Sequence, residues 1–351
     1  MNEKIDFVIT WVDGADEDWL TSKSKWLPNQ DVAGYDNNVN YENASANANT
    51  NANTANLYRD WDNLHYWFRG IEKHAPWVNK IHFVTAGHLP SWLNTKHPKV
   101  NIVRHTDFIP KEYLPTFNSH AIELNMHRID GLEEQFVYFN DDMFIINDMH
   151  PKDFFANGLP CDSAIMMPLA PLVPKDPLFH YLINNLSVIN HNFLKKKIIK
   201  SHPDKWFSMA YGKLLLKNLY YAPFGRGFSG FMNCHMPASY LISTFKEVWE
   251  REPEMMHATS LNRFRTVMDV NPYVFSYWQF ASGKFIPRKT DIGSFNIIGE
   301  NDEKLLEAIV SKKHKMICLN DSIMKIDFIK EKESIRRCFN LIFPEKSSFE
   351  L

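Results

Sequence analysis

Gln135-Phe136-Val137-Tyr138-Phe139, followed at once by Asn140-Asp141-Asp142, is the stretch from which the fold is read. The first five residues are aromatic or β-branched apart from the glutamine, the pattern of a short buried strand. Three polar groups then arrive where the strand should leave its sheet. In open α/β sheets, ligands bind outside the carboxyl ends of strands. Adjacent carboxylates are hard oxygen donors, suited to Mg²⁺ or Mn²⁺ bridging a diphosphate. The plainer reading of Asn-Asp-Asp alone is a solvated turn. Upstream, Asn118 to Arg128 reads as a helix, with Ser119 as its N-cap and Gly131 as its stop.

Toward the N-terminus, Ile5-Asp6-Phe7-Val8-Ile9-Thr10-Trp11-Val12 is nearly all apolar and ends at Asp13-Gly14, as a buried parallel strand and turn would. Asp16 is placed to cap a short helix through Trp19 and Leu20. Residues 32–56 read as a surface loop, in which Ala44 to Asn56 is a low-complexity tract of Asn, Ala, Thr and Ser only, with nothing to bury. From Leu57, apolar residues at Trp61, Leu64, Phe68 and Ile71 set a helical period that Pro76 stops. Lys80–Thr85 and Val100–His105 are the next strands. Strand, helix, strand, strand, helix, strand over residues 1–150 predicts an α/β fold with a mostly parallel, Rossmann-like sheet and flanking helices. The chain has no Gly-x-Gly-x-x-Gly and no Gly-Lys-Ser/Thr loop, so neither a dinucleotide fingerprint nor a P-loop is present.

Toward the C-terminus, prolines at 151, 160, 168, 171 and 174 argue against a regular element over 151–175. Beyond it, residues 151–351 read as mainly helical, over about 177–200, 204–218, 237–251, 302–313 and 328–340. Lys195-Lys196-Lys197 with Lys200 is a basic run, ordinarily a solvated face and otherwise a patch for anionic lipid. Two loops carry chemistry-bearing residues. Gly225–Gly230 leads into Asn233-Cys234-His235-Met236-Pro237. Asn262-Arg263-Phe264-Arg265 precedes Asp269 and an aromatic helix. Taken singly, His235 reads as a capping histidine and Arg265 as a surface charge.

A chain of 351 residues with a net charge of −2 can bury a large core and gives no reason to expect a nucleic-acid partner. Aromatics make up 14%, enough to stack sugars or nucleotides but also simply to fill a core. Cys161, Cys234, Cys318 and Cys338 have no paired spacing and read as buried reduced thiols, not a zinc site or disulfide frame. No run approaches the about 18 apolar residues of a membrane span, and the N-terminus has no signal-peptide core. A cytoplasmic protein is expected, with any membrane contact peripheral at the inner face.

Together these stretches resemble the Stealth family of sugar-1-phosphate transferases. Ile5–Gly14 is similar to its first conserved region. Arg59-Asp60 through Trp77, with Leu114–Ser119 through Asp142, is similar to the second. Cys234–Pro237 and Arg265–Asp269 through Tyr277 are similar to the third and fourth. Trp61, Trp67 and His88 depart from the family's usual residues, which bears on the substrate and not on the chemistry. The resemblance implies a GT-A-like core over 1–150 that binds a nucleotide sugar, completed by 151–351. It implies a UDP-N-acetylhexosamine donor, a glycan or lipid-linked oligosaccharide acceptor, and release of UMP in capsule or exopolysaccharide synthesis. It implies His235 as general base, Arg265 as a brace for the phosphates, Glu123 orienting the acceptor or metal-bound water, and Asp142 with Asp141 holding Mg²⁺ or Mn²⁺. Asp13 and Arg59 would contact the nucleotide or diphosphate. The rivals are a conventional glycosyltransferase that releases UDP and a non-catalytic polysaccharide-binding protein.

Overall fold

The computed structural model of the protein describes residues 4–26, 60–171, 177–299, 301–321 and 326–351. Its strands are β1 (Ile5–Thr10), β2 (Ile81–Thr85), β3 (Val100–Arg104), β4 (Gln135–Phe139), β5 (Met143–Ile145), β6 (Phe155–Ala156), β7 (Leu159–Asp162), β8 (Ala238–Leu241), β9 (Ile286–Pro287), β10 (Gly293–Ile297) and β11 (Met316–Asn320). The central sheet has the order β3-β2-β1-β4-β8. Its first four strands are parallel, and β8 joins the edge antiparallel to β4. β2, β1 and β4 are the inner strands, so their side chains are buried on both faces, which is why they read as nearly continuous apolar runs.

Alternation along these strands feeds two cores. Val8, Val84, Phe136 and Tyr138 face one; Phe7, Ile9, Phe83, Val137 and Phe139 face the other. Each core draws on residues before and after position 150, and β8 carries the later part of the chain into the central sheet. Asp6, fully buried on β1, is the polar exception. Its carboxylate accepts from Asn79 Nδ2 at 2.7 Å, Lys80 N at 3.0 Å and Glu133 N at 3.0 Å, and meets His82 Nε2 at 3.0 Å. Those partners bind the entrances of β2 and β4 to β1 and so set the register of the strands whose far ends carry the site.

A second sheet, β10-β11-β5, stands beyond the end of β4. β5 runs antiparallel to β11, with Met143 opposite Cys318. A third, β6-β7-β9, is built from residues the proline pattern suggested would be irregular. Pro151 is accommodated there at the start of a one-turn helix, Pro151–Phe154, where no amide donor is needed.

Several other expectations are corrected. The helix read from Leu57 begins at Leu64, with Trp61 in the loop before it and Leu57 outside the described residues. The cap of the helix Ser119–Leu124 is Asn118, whose side chain accepts from His120 N, and not Ser119; the helix then tightens into a turn over Met126–Arg128. The segment read as a helix from 237 is β8 first and a helix only over Ile242–Arg251. The helix read over 177–200 is two, Pro177–Asn192 and Lys195–Ser201. The low-complexity loop at 32–56 lies outside the described residues. All four cysteines are free, but Cys234 and Cys338 are half-buried, not buried.

Candidate active site

The site begins where β4 ends. Tyr138, the last inward residue on its face, lifts its hydroxyl to Glu123 Oε1 at 2.8 Å, Thr10 Oγ1 at 3.0 Å and the Asn140 amide at 2.7 Å. With one proton to give, the hydroxyl donates to the carboxylate, and the amide serves it best with its NH₂ turned inward. Burial and the Glu123 carboxylate hold the tyrosine far above its ordinary range, so that proton stays. Glu123 is itself buried, on the helix that Asn118 caps. The end of β1, the end of β4 and that helix are thus joined at one hydroxyl.

Asp141 and Asp142 follow on a turn. Asp142 is held by its backbone: its carbonyl accepts from Leu319 N at 2.8 Å, on β11. Its Oδ2 accepts from Cys318 Sγ at 3.3 Å and Asn320 Nδ2 at 3.4 Å. Its Oδ1 is buried and has no hydrogen-bond partner among the described residues. Asp141 is exposed to solvent on one side, with protein packed around the other. The loss of surrounding water, with Asp142 and Asp60 nearby, pushes its carboxyl up to about 7. An orphaned carboxylate oxygen beside a carboxyl that resists ionisation is a donor set short of positive charge, and it fits a hard divalent cation.

His235 meets this carboxylate from the far side of the chain. Its Nε2 is 3.7 Å from Asp142 Oδ2, a charge contact and not a hydrogen bond, and its Nδ1 is 2.9 Å from the hydroxyl of Tyr273. Burial disfavours the imidazolium, but Asp142 and Glu123 outweigh that and the opposing Arg265, so His235 is raised above its ordinary value. Its backbone is left-handed, at φ 47, an uncommon conformation for a residue with a side chain and one that collects at functional sites. Before it, the glycine-rich loop lies along 166–169; at Gly230, φ 151, a Cβ would stand 2.3 Å from the Met167 carbonyl oxygen.

Arg265 is aimed by a buried network rather than by its own element. Asp269, with no exposed surface, accepts from Asn118 Nδ2 at 2.9 Å, Asn262 Nδ2 at 2.7 Å, Thr266 N at 3.1 Å and Thr266 Oγ1 at 2.8 Å. This ties the loop 262–269 to the start of the Glu123 helix, where Arg265 Nη2 donates to Ser119 Oγ at 2.6 Å. Asp142, Glu123 and Arg265 each stand close enough to His235 to act on its charge.

Asp13 lies outside that group. Its amide donates to His88 Nε2 at 2.7 Å and its carboxylate caps Ala15 N at 2.8 Å. It acts electrostatically on Asp60, which in turn acts on Asp141, so the acids form one rim from β1 to β4. Arg59 lies outside the described residues. Cys318, Asn320, Tyr138 and Tyr273 were not singled out in the sequence. Asp142, His235 and Cys318 make a three-residue cluster with candidate ligand atoms within 4.8 Å of one another, in which Cys318 stands where Asp141 was expected. Beside His235 opens a cleft lined by Asp162, Asn233, Tyr273, Arg288 and Lys289.

Comparison with known proteins gives the class first. Over 348 residues the chain is 41% identical to the capsular polysaccharide phosphotransferase WcwK of Streptococcus pneumoniae, covering 99% of this chain and 98% of that one. It is 37% identical over 348 residues to the exopolysaccharide phosphotransferase cps2G of Lactiplantibacillus plantarum, covering 99% and 96%. It is 38% identical over 356 residues to the receptor polysaccharide phosphotransferase WefC of Streptococcus gordonii, covering the whole of both. Among solved structures, the galactosyltransferase LgtC aligns at a TM-score of 0.41 and 9% identity over 98% of this chain and 96% of that one. The protein is an enzyme of the phosphotransferase class. More particularly, it belongs to the Stealth family: Stealth protein CR1, conserved region 1, matches residues 3–31, and Stealth protein CR2, conserved region 2, matches residues 57–161.

Proposed function

We propose that this phosphotransferase moves a sugar-1-phosphate, N-acetylhexosamine-1-phosphate by preference, from a UDP-sugar to a hydroxyl of a glycan or lipid-linked oligosaccharide during capsule or cell-surface polysaccharide synthesis. The observation that carries the reading is the meeting of His235 and Asp142 at 3.7 Å at the end of β4, across more than ninety residues of chain, with Glu123 and Arg265 around them. The acceptor oxygen forms a bond to the β-phosphorus, the bond from that phosphorus to the bridging oxygen breaks, and UMP leaves. The anomeric bond of the sugar is untouched.

Such a transfer needs in-line positioning and charge neutralisation more than covalent chemistry. Tyr273 fixes the His235 ring so that Nε2 faces Asp142, and from there it takes the acceptor proton. Arg265, with its planar donors, braces the phosphate oxygens. Glu123, steadied by Tyr138, orients the attacking group. Asp142, with Asp141 beside it, would hold Mg²⁺ or Mn²⁺, which when bound offsets the charge of the diphosphate. The cleft beside His235 takes the acceptor, with Asp162, Arg288 and Asn233 as hydroxyl-binding groups. Asp13 and Arg59 are assigned to the nucleotide end. The 1–150 part binds the donor, 151–351 completes the site, and the protein works in the cytoplasm at the inner face of the membrane.

The test is product analysis across a panel of nucleotide sugars. UMP is expected, and EDTA should abolish its release; UDP as the product would instead make the protein a conventional glycosyltransferase. His235→Ala should lower turnover by about 10²–10⁴-fold with little change in donor affinity, the cost of a lost general base. The raised imidazole favours one other role, a cation that binds phosphate, and an equal loss of donor binding in that variant would select it.

A further inference from the structure

We infer that the segment from Leu194 to Arg226 is a docking surface for an anionic phospholipid bilayer. The first observation is charge. This segment holds eight basic residues against the single acid Asp204, a formal +7 in a chain whose total is −2. The rest of the protein therefore carries −9, and the asymmetry lies in one stretch rather than across the surface.

The second observation is where the apolar side chains point. In the helix Leu215–Tyr221, the fully buried Asn218 faces inward. It donates to the carbonyls of Ala164 at 2.8 Å and Trp206 at 2.7 Å and accepts from Met166 N at 2.7 Å. Leu216, Leu219 and Tyr220 fall on the opposite side at helical spacing, and all three are exposed, Leu216 by 68%. Met209, just before the helix, is 83% exposed, and Leu194 and Phe224 are exposed as well. Lys195, expected as part of a solvated run, is buried: its amine donates to the carbonyls of Tyr221 at 3.0 Å and of Phe224. That staple ties the chain beside Leu194 to Phe224 and the end of the helix that carries Leu216, Leu219 and Tyr220. Lys196, Lys197, Lys200, Lys213 and Arg226 are exposed in the same segment.

A soluble enzyme gains nothing by showing water a patch of Leu, Met, Phe and Tyr. Apolar residues with basic neighbours fit a surface that is hydrocarbon within and negative at its rim, as in helices that lie in the headgroup plane. A hydrophobic protein partner would explain the leucines but not the excess of lysine. The described residues contain no helix long and apolar enough to cross a membrane, and this surface needs none. Its anchor, the segment Ala164–Met166, directly follows Asp162 and Ser163, which line the cleft beside His235. Docking would therefore set that cleft near the bilayer. The surface itself stands independently of the transferase reading.

The experiment is co-sedimentation of the full chain with vesicles of phosphatidylcholine alone or with about one-third phosphatidylglycerol. Binding is expected only to the anionic vesicles, weakened by high salt. Leu216→Ser with Leu219→Ser, and separately Lys196→Glu with Lys197→Glu, should each reduce it by about tenfold or more. Circular dichroism and activity on a water-soluble acceptor should not change in either pair. Equal binding by both pairs and the parent, or equal binding to neutral vesicles, would overturn the proposal. So would a parent dimer that the leucine variant turns into a monomer by light scattering, since the patch would then be an interface between copies.

Discussion

At Asp142 a carboxylate oxygen is buried and, among the described residues, unpaired, one residue from an aspartate pushed up to about 7. Both are costs in the free protein. A folded-state value above the ordinary 3.8 means that the native state holds a proton the unfolded state has released, so the unfolded state gains on the native one between about pH 4 and pH 7. Asp141 thus destabilises the free protein increasingly across that window, and the full cost is present above it. A divalent cation has to displace the same proton, so its binding should grow over the same range. Mg²⁺ or Mn²⁺ is expected to raise the melting temperature clearly at pH 8 and hardly at pH 5, and Asp141→Asn should reduce the gain at pH 8. An equal rise at both pH values would show that the cation binds elsewhere.

At the scale of elements, the parallel strands were legible because burial on both faces leaves a continuous apolar run: β4 begins and ends where it was read, and β1, β2 and β3 differ only at an end residue or two. β5, β8 and β11 were not, since three to five residues can pair with strands far away while showing no period of their own. That is why Cys318 was missed: a strand formed 176 residues after Asp142 brings it there, and only the apolar run Met316–Leu319 hinted at one. His235, Arg265, Glu123 and Asp142 were legible only as members of a resemblance, for no local pattern says that they meet. What brings Arg265 in is Asp269. Burial alone would raise that carboxyl, but His120, Thr266 and Asn118 hold it ionised, below its ordinary value. Its contribution is present at neutral pH and is lost only as pH falls below 3.8 and through its lowered value. Asp269→Ala removes the buried acceptor shared by Asn118, Asn262 and Thr266 and should cost about 3–5 kcal/mol in urea unfolding at pH 7. Activity should fall further than stability explains, because Arg265 loses its anchor. A variant of parental stability would mean that water replaces the carboxylate.

For the whole molecule, the question is whether residues 1–150 and 151–351 behave as two bodies. Both hydrophobic cores mix the two parts, and β8 is the edge of a sheet begun by β1. The end of the chain closes back on the beginning. Tyr66 stacks on Phe339 with ring centroids 5.0 Å apart, and Phe68 packs against Phe349 at 5.3 Å. Arg69 grips Glu350 through Nε at 2.8 Å and Nη2 at 2.7 Å, with the carboxylate side chain only 4% exposed. Burial would raise Glu350, yet Arg69 and Ser347 hold it below its ordinary 4.5. Removing that carboxylate leaves the largely buried Arg69 guanidinium with only the Phe343 carbonyl, at 2.9 Å, as a hydrogen-bond partner among the described residues. Glu350→Ala should therefore cost about 3–5 kcal/mol, the usual price of breaking a buried pair from one side. Because the cores are shared, calorimetry should show one transition, and the substitution should move all of it to lower temperature. Two transitions, with only the later part of the chain responding to Glu350→Ala, would mean that the parts fold separately and the shared sheet is a late dock.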